Sequence, residues 1–552
     1  MDLLQSIELE PDDRRLLSAF AAVGLTVMSL GGIFALLMKL VRTPALSILP
    51  AETYYQALTG HGILMFIFWL GFVQTAFLIV AGSVLIRRRL WSYRLAWAGL
   101  GIMTLAAGLA LAGVLRGANI TYHAAIPLAR QYESAWMIFL SFVLVAAGML
   151  VLVFDFVMTM IGAVDRKGSL DAWGAFFKRL PVASFAALAG LFIAVPGLLA
   201  ALRMFGLAWL WSLGRGTVDP SVYRMDWHIV FHIYHYIPAL TLVGVAYVLV
   251  EVTADARSVY AKPLAKALFL LYPIFVPPTF VYHLLADPSL PQQVKLAGTV
   301  LSLLVGVPTL LHTFIIGGML EARMRQAGLG AAAGLRRLPW GDPAFGSLVV
   351  GLVTLFVGGF MAYALIQEQL APMLHNTFVV PAYVHPIAAG GANITYMGAL
   401  YYGIPMLLRR RLWGIRVARW QPYVMGAALI WMAVFGAAAG LAGVPRRYAS
   451  WGLDVPAAWT TWMNLSLGIG AMVAIAAGVA FVAVMAMTAV AGEKVASPQA
   501  AVAGMGPPPP PVVRASGWTP LALVPGMVFV VGVVALTVLA FQRLWALPIQ
   551  LP

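Results

Sequence analysis

The stretch "HIVFHIYHYIPAL", residues 228–240, places three of the chain's nine histidines and two of its tyrosines in strongly apolar sequence. At 100° per residue, His228, His232 and His235 fall within about 60° of one another on a helix, and Tyr236 follows His232 by roughly one turn. Such a stripe presents imidazole nitrogens and a phenol on one face, donors that suit haem iron or copper. His61, His283, His375 and His385 stand at the ends of other apolar runs. The chain has no cysteine, which excludes disulfides, thiolate metal sites and cysteine nucleophiles.

The elements that carry these residues are set by composition. Of 552 residues, 62% are hydrophobic and 10% charged, whereas soluble domains carry about 25% charged residues. Apolar runs recur from end to end, and in lipid an open-ended segment satisfies its backbone only as a helix. The expected fold is therefore all-α, a polytopic transmembrane bundle. Thirteen spans are expected, near 17–40, 61–86, 95–115, 135–162, 182–212, 225–250, 264–286, 297–320, 344–367, 379–408, 420–443, 461–491 and 518–541. Residues 1–491 form a twelve-span body, 492–517 a proline-rich cytoplasmic linker, extended and semi-rigid, and 518–552 an additional C-terminal transmembrane helix. The first fifteen residues, "MDLLQSIELEPDDRR", are charged and lack the apolar core of a signal peptide. The net charge of +15 is spread over many short loops, which marks a membrane protein and not a nucleic-acid binder.

Loop charge orients the bundle. The connections after spans two, four, six, eight, ten and twelve hold most of the loop arginines and lysines, among them "RRRLWSYR" and "RRRLWGIRVAR". The positive-inside rule then puts the N-terminus in the cytoplasm. With that orientation, His61, His228, His232, His235, His283, His375 and His385 share the outer third of the bundle and come from or beside four different spans. Ionisable residues gathered at one depth of a membrane bundle mark a functional site. His123 and the deeper His312 stand apart. The triplets at Asn119, Asn393 and Asn464 match the glycosylation pattern, but two lie in or beside spans and carry no weight.

With these motifs in hand, the chain resembles subunit I of the haem–copper terminal oxidases, most closely their B-family. "YYQALTGHGILMFIF" resembles the family's second-span motif, which implies His61 as a low-spin haem ligand. "HIYHY" resembles its His-x-x-x-Tyr, implying His232 as a copper ligand and Tyr236 as the cross-linked tyrosine. "FVYHLLADP" resembles its Phe-His-His segment, "HNTFVVPAYVHP" the segment that supplies two haem ligands, and "GVPRRY" the propionate-binding arginines, here Arg446 and Arg447. "LPWGDPAF" is a further match without a ligand role. His385 matches the second low-spin ligand, and His375 resembles a histidine near the high-spin haem propionates. The resemblance covers almost the whole chain.

Two positions depart from it. Tyr282–His283 stands where the family has two adjacent copper-binding histidines, and Tyr383 stands where it has the high-spin haem ligand. Two arrangements are open at each. Tyr383 ligates iron as tyrosinate, as in catalase, or packs unbound. Copper is held by His232, His283 and Tyr282, with His228 or His235 as substitutes, or the copper site is weakened or lost. The family's proton track maps onto Tyr236, Tyr247 and Thr309, with His312 in place of a small hydroxyl residue and Val243 in place of a tyrosine. His312 itself reads as a satisfied interior histidine ahead of a proton relay.

The leading expectation is a haem-binding respiratory subunit of a terminal oxidase. It would reduce O2 to water with electrons from a subunit II-type copper protein or cytochrome c. The resemblance implies a low-spin haem, a second haem and a copper ion as cofactors, and other small membrane subunits as partners. It implies the plasma (inner) membrane of a bacterium or archaeon as location. A nitric oxide reductase acting on NO is the alternative on the same scaffold, disfavoured by Tyr236. A redox paralogue retaining only the low-spin haem is favoured by the two tyrosine replacements. A haem-free transporter is disfavoured by ligands paired at one depth.

Overall fold

The computed structural model describes residues 7, 9–43, 48–120, 126–164, 169–257, 261–449, 457–513 and 523–546. Helices account for nearly all of its regular structure, and each expected span coincides with a helix. These are α1 (Pro11–Arg42), α2 (Ala51–Val84), α3 (Tyr93–Leu115), α4 (Ala135–Ala163), α5 (Val182–Ser212) and α6 (Pro220–Ala254). Next comes α7, in which Lys262–Phe275 bends by 57° into a 3₁₀ segment, Pro277–Leu284. The remainder are α8 (Gln292–Gln326), α9 (Pro343–Leu365), α10 (Val379–His385 continuing through Pro386–Ile394 to Leu408), α11 (Ile415–Leu441), α12 (Ala457–Ala491) and α13 (Leu523–Ala546). Among the described residues, ten helices are long and apolar enough to cross a membrane, and the bent α7 makes eleven. The tenth and thirteenth expected spans are shorter or interrupted: α10 by a π-helical stretch, α13 by an apolar run confined to Val524–Leu539.

Helix starts follow capping chemistry. Asp219 accepts from the backbone N–H of Ser221 (2.8 Å) and Val222 (3.0 Å), and Pro220 begins α6. Asp342 does the same for α9 through Ala344 and Phe345, with Pro343 in the first turn. Ordinary α-helical turns give way to π-helical turns at Ile63–Trp69 in α2 and Pro386–Ile394 in α10. Such insertions re-aim the side chains around them and cluster at functional sites.

The N-terminal residues, the ends of α2, α8 and α10, and the 492–513 segment meet at one end of the bundle. There Ser83 donates to Asp13 (2.6 Å) and Arg89 to Asp12 (2.8 Å). The 492–513 segment crosses this end in contact with the body. Val495 N–H donates to Arg409 O (3.0 Å), Gln499 to Ile7 O (3.0 Å), Arg323 to Pro510 O (2.6 Å), and Val513 N–H to Gln326 O (2.9 Å). The segment is extended at its prolines, with a short helix at Pro498–Val502. Beyond it, α13 lies along α8, where Phe529 meets Phe314 and Tyr363.

Candidate functional site

His61 and His385 each stand within two residues of the start of a π-helical stretch, one on α2 and one on α10. His61 Nδ1 lies 3.0 Å from Gly31 O of α1, and His385 Nδ1 lies 2.7 Å from Pro381 O. A carbonyl accepts only, so each Nδ1 carries the proton and each Nε2 keeps its lone pair, as a metal-ligating histidine requires. Their helices are tied together beside the π-turns. Trp69 Nε1 donates to Asn393 Oδ1 at 2.9 Å, and both residues are buried. Gly31 lets Met65 pack closely on α1 here, since a Cβ would meet the Met65 side chain at 2.7 Å.

The loop after α11 folds onto the start of α10. Phe378 N–H donates to Val444 O (2.8 Å) and Arg446 N–H to Asn376 O (3.0 Å). This brings His375, Arg446 and Arg447 together at the end of the bundle where His61 and His385 lie. Arg446 Nε is buried without a hydrogen-bond partner. Burial, then the cations Arg446 and Arg447, push His375 down to about 4, so it is neutral at pH 7. Two residues that sequence reasoning passed over join this region from α1. Arg42 donates to Tyr54 (3.3 Å) and lies 4.6 Å over the Phe378 ring, and Lys39 lies one turn inward. Arg42 reads in the sequence as ordinary loop charge; a basic pair at a span's end is the one signal that could have raised it.

The α6 stripe faces the bend of α7. His232 is fully buried, with Nδ1 3.3 Å from His283 Nε2 and Nε2 bonded to Val276 O (2.8 Å) and Thr279 Oγ1 (2.6 Å). The rings of Tyr236 and Tyr282 lie 5.1 and 5.3 Å from that of His232. His228 lies parallel to His283 at 5.6 Å. His235 turns its Nδ1 to Phe231 O (2.5 Å) and packs on Phe66. Tyr282 stacks beside His283, their ring centroids 3.9 Å apart. Gly358 of α9 touches α10 here, since a Cβ would meet Tyr383 O at 2.8 Å.

Deeper in the bundle, Tyr247 and His312 Nδ1 share a 2.9 Å hydrogen bond, while His312 Nε2 is buried without a partner. Thr309 pairs with Tyr272 at 2.7 Å. Three track positions thus fall in two local pairs, Tyr247 with His312 and Thr309 with the unforeseen Tyr272, and Tyr236 lies farther along α6. His123 and Arg514 lie outside the described residues. Asn393 and Asn464 are buried and hydrogen-bonded, in line with their reading as chance matches.

Residues 15–473 match the family described as cytochrome c and quinol oxidase polypeptide I. The chain belongs to this family. Cytochrome c oxidase subunit 1 of Thermus thermophilus is 32% identical over 266 residues, 46% of each chain, so the match spans about half the length of that relative. A protein of the same name from Albinaria turrita is 30% identical over 138 residues, covering 25% of this chain and 68% of that one. In fold, the chain superposes on a haem–copper terminal oxidase, seen as a dimer by cryo-electron microscopy. The TM-score is 0.76 at 21% identity, over 97% of this chain and 92% of that one.

Members of the cytochrome c and quinol oxidase polypeptide I family bind haems and copper, so the residues here can be tested against each group. The low-spin haem fits: His61 and His385 each anchor Nδ1 on a carbonyl, each stands eight residues before one end of the Trp69–Asn393 hydrogen bond that joins their helices, and Arg446 Nε is buried without an acceptor. Copper fits in part. His232 and His283 present two nitrogens at about the spacing of donors on one tetrahedral metal with bonds near 2.0 Å. Among the described residues, however, no three histidines, aspartates or glutamates are arranged to hold a metal ion. At the second haem's position Tyr383 offers a phenol in place of an imidazole, which ligates iron as tyrosinate.

Proposed function

We propose that the chain is the membrane electron-transfer subunit of a respiratory complex of the oxidase type, with one low-spin haem between His61 and His385. The paired imidazoles, each anchored through Nδ1, carry this reading. When bound, such a haem supplies one-electron transfer with no open coordination position. The chain's own residues then have defined tasks. Gly31 and Pro381 hold the ligand rings in one orientation. Arg446, Arg447 and the neutral His375 offer donors to carboxylates at the outer edge. The donor of electrons is a subunit II-type copper protein or cytochrome c on the outer side. Tyr282 and Tyr383, standing where the family has metal-ligating histidines, support a single haem, the redox-paralogue alternative raised by the sequence.

The second reading is the terminal oxidase itself, reducing O2 to water. It is favoured by one observation, the His232–His283 pair with Tyr236 beside it. Haem and copper analysis of the purified protein separates the two, together with carbon monoxide binding to the reduced form. The expected result is one haem per chain, no copper and no carbon monoxide complex, with the low-spin band abolished in His61→Ala and His385→Ala. Two haems, one copper and a carbon monoxide complex would establish the oxidase reading. A low-spin band retained in both histidine variants would overturn the ligand assignment.

A further inference from the structure

Away from the histidine sites, α2, α4, α5 and α6 line a cavity of about 40 Å³. Its wall is mostly apolar, with Met149, Gly190 and Leu240 among its residues, and carries three polar side chains, Gln74, Thr75 and Thr241. Gln74 follows His61 by thirteen residues on α2, and Thr241 follows His232 by nine on α6. At 1.5 Å per residue the cavity lies roughly 13–20 Å along the helices from those histidines, so it belongs to neither site. Gln74 is 3% exposed, and neither its amide oxygen nor its amide nitrogen has a hydrogen-bond partner within the protein. A side-chain amide brings acceptor and donor capacity together, and burying both unpaired is costly. In a membrane bundle bulk water cannot remove that cost. Thr75 sends its hydroxyl proton to Gly71 O at 2.8 Å, which leaves the lone pairs of its oxygen to accept.

Size limits the occupant. A cavity that takes a benzene-sized ligand measures about 150 Å³, whereas a water molecule needs at least about 10–15 Å³ and two or more polar partners. A purely apolar cavity stays dry and takes up xenon; a cavity with an unpaired amide in its wall does not stay dry. We infer that this cavity is a binding site for internal water, up to about three molecules, held by the Gln74 amide with the Thr75 and Thr241 hydroxyls as further partners. The consequence is mechanical. Tyr234 of α6 already donates to Ile67 O of α2 at 2.7 Å. Water between Gln74 and Thr241 adds a second polar tie between the same two helices, about two turns farther along α6. The helix that carries His61 is thereby fixed to the helix that carries His232 and Tyr236, whichever cofactors the chain binds.

The test is a structure of the full chain at a resolution that shows ordered water, for the parent and for Gln74→Leu, followed by xenon pressurisation of crystals of both. The parent should show density about 2.7–3.2 Å from the Gln74 amide and take up no xenon in the cavity. Gln74→Leu removes both amide atoms at similar bulk, so it should lose that density and bind xenon there. A parent map with ordered water elsewhere and none in this cavity overturns the inference, as does xenon in the parent cavity. Continuous density of a lipid or detergent chain overturns it too. Density kept in Gln74→Leu shows that other groups hold the water and overturns the assignment to Gln74. Should Gln74→Leu fail to fold, the parent map and the parent xenon experiment decide by themselves.

Discussion

The hydrogen bond between Trp69 and Asn393 joins residues 324 positions apart and sits beside the π-turns that follow both haem-ligand positions. Trp69 is 1% exposed and Asn393 3% exposed. Trp69→Phe removes the donor and leaves a buried amide oxygen unpaired. Asn393→Leu removes the acceptor and strands the indole N–H. Each single variant therefore loses the bond and also suffers the desolvation of the orphaned group, about 1–3 kcal/mol. The double variant removes both polar groups and escapes the second penalty. Its destabilisation should fall short of the sum of the singles by about 1–2 kcal/mol. The assay is a double-mutant cycle on thermal unfolding in detergent, read by circular dichroism, with low-spin haem content measured in parallel. The singles should also lose haem affinity by roughly 10–100-fold, the usual cost of disturbing groups that orient a metal ligand. Additive destabilisation within about 0.5 kcal/mol would refute the claim that this bond couples α2 to α10.

Gly440→Ala should destabilise the outer end of α10, because a Cβ there would meet the Val379 backbone nitrogen at 2.2 Å and the Phe378 carbonyl carbon at 2.9 Å. Backbone cannot rotate away as a side chain can, so a cost of about 1–3 kcal/mol is expected, together with faster protease nicking of the 444–447 loop. A melting temperature equal to the parent's would contradict the packing described. His375 sets a pH dependence. Its folded-state pKa, about 4, lies below the ordinary histidine value of 6.5, so the unfolded chain takes up the proton first. Stability should therefore fall as pH drops from about 6.5 towards 4. His375→Asn should flatten that slope, and an unchanged slope in thermal melts across this range would show that His375 is not the group responsible.

The sequence by itself determined the class of the protein and pointed to its candidate ligands. Apolar runs long enough to cross a bilayer fold as helices whatever their neighbours, because each backbone group finds its partner within the segment. The thirteen spans are legible for that reason. So are His61, His385, His232 and His283, because histidine is rare here and recurs at the ends of such runs. The interruptions inside spans were legible only in part. The 57° bend in α7 falls at Pro277 and Pro278 and the π-turns of α10 begin at Pro386, prolines that break regular helix, whereas the π-turns after His61 carry no proline.

Tertiary structure alone decided which of these side chains meet. Hydropathy reports burial along one helix and says nothing about which residue stands opposite. Trp69 finds Asn393, Thr309 finds Tyr272 and not a neighbour on its own helix, and Arg42 of the first span stacks on Phe378. The two tyrosine departures read as separate puzzles in the chain, one per span. In the fold Tyr282 packs on His232 and His283, while the Tyr383 backbone lies against Gly358 of α9. A phenol is longer than the imidazole it stands in for, and only the distance between two helices determines whether that added length reaches a metal or another phenol.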